Sequence, residues 1–160
     1  MLSIRGSITI RRQKEEFDLG TDIYGGVEFY SNGQWKLYKD LSKYPDYRSY
    51  DTFAVLALAG MEGRDFLNIQ HSIAKNSFTP DDLTLEMQEL WEDFGSGYCI
   101  TYKQIKDYDF EQKVFDSREN NKEITLREAV CEDQWKVFND MKELAKDFGD
   151  NNVRMVFWFD

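Results

Sequence analysis

Two periods of hydrophobic spacing alternate along this chain. Near the N-terminus, "LSIRGSITIRR" sets Leu2, Ile4, Ile8 and Ile10 on one phase of an even spacing, as in a strand with one dry face, and places arginines at its outer edge. In "YGGVEFYSNGQWKLYKDL", two β-rich runs carrying Val27, Phe29, Trp35, Leu37 and several tyrosines flank Asn32-Gly33. That dipeptide accepts the positive φ values of a tight turn, so a hairpin is predicted. At the other end, "VRMVFWFD" alternates Val153, Met155 and Phe157 against Arg154, Val156 and Trp158, which predicts a closing strand.

Between these strands the period lengthens. "RSYDTFAVLALAG" is apolar on most sides and stops at Gly60, as expected of a helix buried against a sheet. "GMEGRDFLNIQHSIAKNSF" has no clean period and reads as a long loop. Thr84 is a good N-cap, Glu86 falls in the first turn, and Met87, Leu90, Trp91 and Phe94 follow at i, i+3, i+4 and i+7 before Gly95 closes the helix. Thr101 looks like the cap of a short helix through Ile105. "KVFDSRENNKEI" fits neither period. From Thr125 to Phe148, the spacing of Trp135, Phe138, Met141, Leu144, Ala145 and Phe148 predicts one long amphipathic helix ending at Gly149. The order of elements predicts a single α+β domain over residues 1–160. Its mainly antiparallel sheet joins the N-terminal hairpin to the C-terminal strand. Helices starting near Arg48, Thr84 and Thr125 should cover one face of that sheet, with Phe53, Leu56, Leu90, Trp91, Phe138 and Leu144 pointing inward.

Composition narrows the function classes. With 160 residues, 41% hydrophobic and 16% aromatic, the chain is large and apolar enough to bury a core, which excludes a disordered protein. Two prolines and no Ser/Gly linker leave no domain boundary, and no apolar run reaches the roughly 18–20 residues of a membrane span. Cys99, Cys131 and His71 offer no metal spacing and no disulfide framework, so neither metal nor cofactor is expected and a cytoplasmic location is. The net charge of -10 changes the picture more, because it is unevenly placed: the first eighty residues balance, and the last eighty carry all of it. Such a field repels nucleic acid and membrane surfaces and attracts basic proteins.

Four separated stretches resemble a family of small proteins found mainly in bacteriophages and bacterial mobile elements. The family's pattern "DIHxxVE…dGkW" is met here by "DIYGGVEFYSNGQW", "RxYxxFAxLA" by "RSYDTFAVLA", "GLPDDVS" by "FTPDDLT" with "HSxSWLTL" by "GSGYCITY", and "vRivFwFD" by "VRMVFWFD". The resemblance spans about residues 22–160 and implies a mobile-element origin and a shared fold, with a suspected anti-defence role. Two family histidines are replaced, by Tyr24 and Gly95, whereas Glu28, Arg48, Tyr50 and Ser96 are kept. Any metal or general-base role of those histidines is therefore lost in this copy, which favours binding over catalysis.

The candidate chemistry follows. "DDLTLEMQELWEDFGSG", residues 81–97, holds six carboxylates and no basic side chain. An ordinary wet helix face interleaves lysine, since like charges at i and i+4 cost a few tenths of a kcal/mol per pair. Asp81, Asp82, Glu86, Glu89, Glu92 and Asp93 are thus the predicted partner-binding residues, with Glu132, Asp133, Asp140, Glu143, Asp147 and Asp150 repeating the theme on the long helix. The expected function is that of an acidic, anti-CRISPR-like inhibitor that occupies the nucleic-acid channel of a basic host defence factor, with no direct binding of nucleic acid or membrane. An alternative is a sponge for a signalling nucleotide, with Tyr24, Glu28, Arg48, Tyr50 and Ser96 lining a polar, aromatic pocket. A second alternative, a small hydrolase, lacks a visible nucleophile–base pair, and no catalytic residue is assigned.

Overall fold

The computed structural model describes residues 20–45 and 48–160; the strand expected at residues 2–10 lies outside them. Six strands are described: β1 (Ile23–Ser31), β2 (Gln34–Asp40), β3 (Tyr98–Thr101), β4 (Lys113–Asp116), β5 (Lys122–Thr125) and β6 (Val153–Phe159). The helices are α1 (Tyr50–Leu56), α2 (Leu85–Phe94), α3 (Tyr102–Asp107), α4 (Leu126–Ala129) and α5 (Glu132–Phe148), joined by short 3-10 turns. The fold is α+β. Its sheet has the order β2-β1-β6-β3, with every pairing antiparallel, and β4 and β5 form a separate two-stranded ribbon. The predicted hairpin and closing strand are both present, and they meet: β1 pairs with β6 from Ile23↔Phe159 to Phe29↔Val153. Asn32 and Gly33 adopt φ of 53° and 81°, the left-handed values that a two-residue turn requires.

The two faces of this sheet are covered differently. On one, Val153, Met155 and Phe157 of β6 join Ile23 and Val27 of β1 in a core with Phe53, Leu56, Val137, Phe138 and Met141 from α1 and α5. On the other, Val156 and Trp158 pack with Leu83 and Met87, rimmed by Leu37, Leu90, Phe94 and Cys99. The expectation that all helices cover one face is therefore corrected: α2 covers the opposite face from α1 and α5. The reason is present in β6, whose second phase holds Val156 and Trp158 and so cannot be left wet. Phe53, Leu56 and Phe138 are buried as expected, but Leu90 and Leu144 are half-buried, and Trp91 is 49% exposed at the edge of α2.

Other departures have local causes. The long helix expected from Thr125 is two helices. A capping box between Thr125 and Glu128 starts α4, Val130 is extended, and Cys131 becomes the N-cap of α5. The break is held by a hydrogen bond from the Cys131 N–H to the buried Thr52 hydroxyl, 2.8 Å. The unassigned stretch 113–124, with Thr125, is the β4–β5 ribbon, whose turn uses left-handed Asn120 and Asn121. "GSGYCITY" contributes β3, an edge strand, before Thr101 caps α3. Among the described residues no helix is long and apolar enough to cross a membrane.

Candidate functional site

Helix α2 is fastened to the sheet at both ends, and each fastening uses a side chain from a strand. At its start, Glu28 of β1 and Arg154 of β6 are direct cross-strand partners on the α2 side of the sheet, both buried. The Arg154 Nε donates to Glu28 Oε1 at 2.7 Å, and the other Glu28 oxygen accepts the backbone N–H of Thr84 at 2.9 Å. The two outer nitrogens of Arg154 donate to Asp82, one to Oδ1 at 2.9 Å and one to its carbonyl at 3.1 Å. The guanidinium lies 3.7 Å over the Trp35 ring, and the Trp35 indole N–H donates to Asp82 Oδ2 at 3.0 Å. Thr84 is the N-cap residue, as predicted, yet its own hydroxyl makes no capping bond and is buried without a partner; Glu28, 56 residues away, supplies an acceptor at the helix start instead. At the far end, Gly95 turns the chain at φ of 78°, and its carbonyl accepts the Trp158 indole N–H at 2.7 Å.

This network removes Asp82 from the open acidic surface, although its side chain is 58% exposed. Partial burial acts to raise the Asp82 pKa, but the hydrogen bond and charge of Arg154 and the hydrogen bond from Trp35 outweigh it, so the carboxyl titrates below its ordinary value of 3.8. Asp81, Glu86, Glu89 and Glu92 are exposed, and Asp93 is half-buried with contacts of its own. Leu85, 76% exposed, lies among the acids, and Trp91 lies beside them. Two hollows flank the Pro80–Leu83 turn. One, of about 420 Å³, runs between the β1–β2 turn and the start of α2 and is lined by Tyr30, Trp35, Asp82, Thr84 and Leu85 among others. The second, of about 340 Å³, is lined by Thr79, Pro80, Asp81, Leu83, Gln88, Trp91 and Glu92.

No family model, curated protein or solved structure matches the chain. The site is therefore read from its own chemistry.

The five residues of the nucleotide-pocket alternative do not gather around one hollow, although Arg48 and Tyr50 meet at Thr21. Tyr24 stacks on Phe94 at 5.1 Å under the end of α2, and Glu28 is consumed by Arg154 and Thr84. Arg48 pairs with Asp22 at 2.8 Å, the Tyr50 hydroxyl accepts the Thr21 N–H at 3.2 Å on the α1 side, and Ser96 is exposed. None of the five lines either hollow. Elsewhere, burial pushes the Cys99 thiol up to about 12, so it stays protonated at neutral pH, and the backbone carbonyl of exposed His71 accepts the Tyr108 hydroxyl. The residues that sequence reasoning missed are Arg154 and Trp35. Arg154 stands out in "VRMVFWFD" as the one cation on a strand otherwise apolar on both phases, which was the available signal.

Proposed function

We propose that this chain is a protein-binding inhibitor whose α2 face docks on the basic surface of a nucleic-acid-binding partner and blocks it. The observation that carries the reading is the make-up of that face. Asp81, Glu86, Glu89 and Glu92 are exposed, no cation lies between residues 81 and 97, and exposed Leu85 and Trp91 stand among the carboxylates. Carboxylates three and four residues apart lie about 5–6 Å from one another along a helix, a spacing comparable to that of phosphates on a strand. The field steers a basic partner, and the two apolar side chains supply the desolvated contact that electrostatics alone does not. The resemblance to phage proteins extends the reading to a host defence factor as the partner, in the manner of an anti-CRISPR.

The test is capture of host proteins on the immobilised chain under a salt gradient, with competing DNA. Binding that weakens steeply with salt, is displaced by DNA and is lost in the triple variant Glu86→Lys/Glu89→Lys/Glu92→Lys fits the reading. Binding that ignores both salt and the triple change overturns it.

A further inference from the structure

The Pro80–Leu83 turn separates two groups of the same residue types, of which only one holds a guanidinium among the described residues. On the hairpin side, an indole face (Trp35) and a carboxylate (Asp82) hold a guanidinium, that of Arg154, at 3.7 Å from the ring and 2.9 Å from the acid. On the helix side, an indole (Trp91) and two carboxylates (Asp81 and Glu92) line the hollow of about 340 Å³, with Pro80 and Leu83, both buried, in its wall. Among the described residues, neither Asp81 nor Glu92 has a side-chain ion pair, and the Trp91 indole N–H has no hydrogen-bond partner, whereas the adjacent Asp82 is fully engaged.

We propose that this second cleft receives an arginine side chain from a protein partner, a step that rests on the docking reading and names the residue it recognises. The guanidinium is planar and weakly hydrated, so it stacks on an indole while its fork of N–H groups reaches carboxylates at the rim. The methylene stem suits the Pro80 and Leu83 wall. Two acids repel the phosphates of a nucleotide, and the hollow lies at the small end of the roughly 300–1,000 Å³ typical of ligand pockets. No group of three metal-ligating side chains is present among the described residues, so a cation held by several acids is not what the cleft offers. The first cleft shows that this protein's own chemistry already stabilises such a pair of partners.

The experiment titrates the intact chain with end-capped glycyl-arginyl-glycine, followed by the indole N–H resonance of Trp91. The neutral citrulline tripeptide, an uncharged isostere, serves as comparison, and an oligo-lysine peptide serves as a probe of the acidic face in general. The arginine peptide should shift the Trp91 resonance saturably, with citrulline binding roughly tenfold or more weaker, the loss of charge-assisted hydrogen bonds. Trp91→Ala and the double change Asp81→Asn/Glu92→Gln should each abolish specific arginine binding. Because Trp91 and both acids are exposed, these variants keep the fold, which unchanged backbone spectra would verify. Equal binding of arginine and citrulline, or arginine binding retained in Asp81→Asn/Glu92→Gln, overturns the cleft. If oligo-lysine still binds in that case and is lost in Glu86→Lys/Glu89→Lys/Glu92→Lys, the docking reading stands without the cleft; failure of oligo-lysine to bind at all removes the docking reading itself.

Discussion

Helices α2 and α5 are both rich in acidic residues and dispose of them in opposite ways. On α5 three of the five acids are answered locally, Asp133 by Lys136 at 3.3 Å, Glu143 by Lys146 at 2.9 Å and Asp140 by the Tyr44 hydroxyl, whereas Glu132 and Asp147 are exposed with no side-chain partner among the described residues. Just past its end, Asp150 meets Lys106 at 3.1 Å. On α2 the helix itself holds no cation, and among the described residues Arg154, from the sheet beneath, is spent on Glu28 and Asp82. The theme that sequence reading extended to both helices is unrelieved within α2 and partly answered by lysines on α5. Such exposed pairs contribute only some tenths of a kcal/mol each, so the difference lies less in stability than in the direction of the field. On α5 it is partly closed over short distances, and around α2 the exposed Asp81, Glu86, Glu89 and Glu92 have no such lysine in their own segment.

The comparison breaks most readily at Arg154. Arg154→Met leaves Glu28 buried without its cation, and denaturant titration should show a loss of about 3–5 kcal/mol. Adding Glu28→Leu should recover much of it, since a packed apolar pair replaces an orphaned charge. The matching removal on α5, Lys146→Met, should change stability by no more than about 0.5 kcal/mol. Equal losses for the two arginine and lysine variants would erase the distinction between them.

Truncating the cores beneath the helices sharpens it next. Met87 and Met141 are both completely buried, so each change to alanine should cost about 2–5 kcal/mol. Hydrogen exchange should separate them. Met141→Ala lowers protection across the sheet, whereas Met87→Ala, in a cluster of only four buried residues, chiefly exposes the amides of α2. Uniform loss of protection in both would show that α2 does not open separately.

Acid provides a gentler probe. Asp82 has a folded pKa below its ordinary 3.8, so its contribution is fully present above that value and is lost as pH falls through the lower folded one. Asp51 behaves oppositely: burial raises its pKa, against the hydrogen bond and charge of Arg118, so its protonation favours the folded chain as pH falls towards 3.8. A pH titration of α2 amide protection should therefore fall below about pH 3.8, and Asp82→Asn should flatten that fall. An unchanged profile in that variant would place the acid sensitivity elsewhere. The smallest effect is expected at the surface. Glu89→Lys should change the unfolding free energy by no more than about 0.5 kcal/mol, with a slight gain from relieved repulsion, while oligo-lysine binding weakens.

The elements that sequence patterning reached are those with local causes. Asn32-Gly33 dictates its own turn, Met87 and Phe94 mark the dry side of α2, and Thr125 with Glu128 announces a helix start three residues apart. What stayed hidden depends on distance along the chain. Glu28 and Arg154 are 126 residues apart, and only the β1–β6 register makes them neighbours. Trp91 satisfies the helical period of an inward residue, yet it lies outside the small cluster under α2 and is 49% exposed. The α4–α5 break depends on the Thr52 hydroxyl, which no helical period reports. Of the six acids at the candidate site, Asp81, Glu86, Glu89 and Glu92 are exposed without a side-chain ion pair among the described residues, whereas Asp82 and Asp93 find contacts that periodicity does not encode.

The fastening of α2 at Glu28 and at Trp158 has a consequence for association. Ordering a backbone residue costs roughly 1–2 kcal/mol, and a segment that becomes helical only on contact must meet that cost out of its binding free energy. Here the N–H of the N-cap Thr84 is held by β1 and the carbonyl of the C-cap Gly95 by its neighbour β6, so the ten residues of α2 are fastened at both ends before any encounter. Complex formation then resembles the meeting of two rigid bodies. Its rate should track ionic strength instead of a folding step, and its heat-capacity change should reflect the contact area alone, with no added component from helix formation.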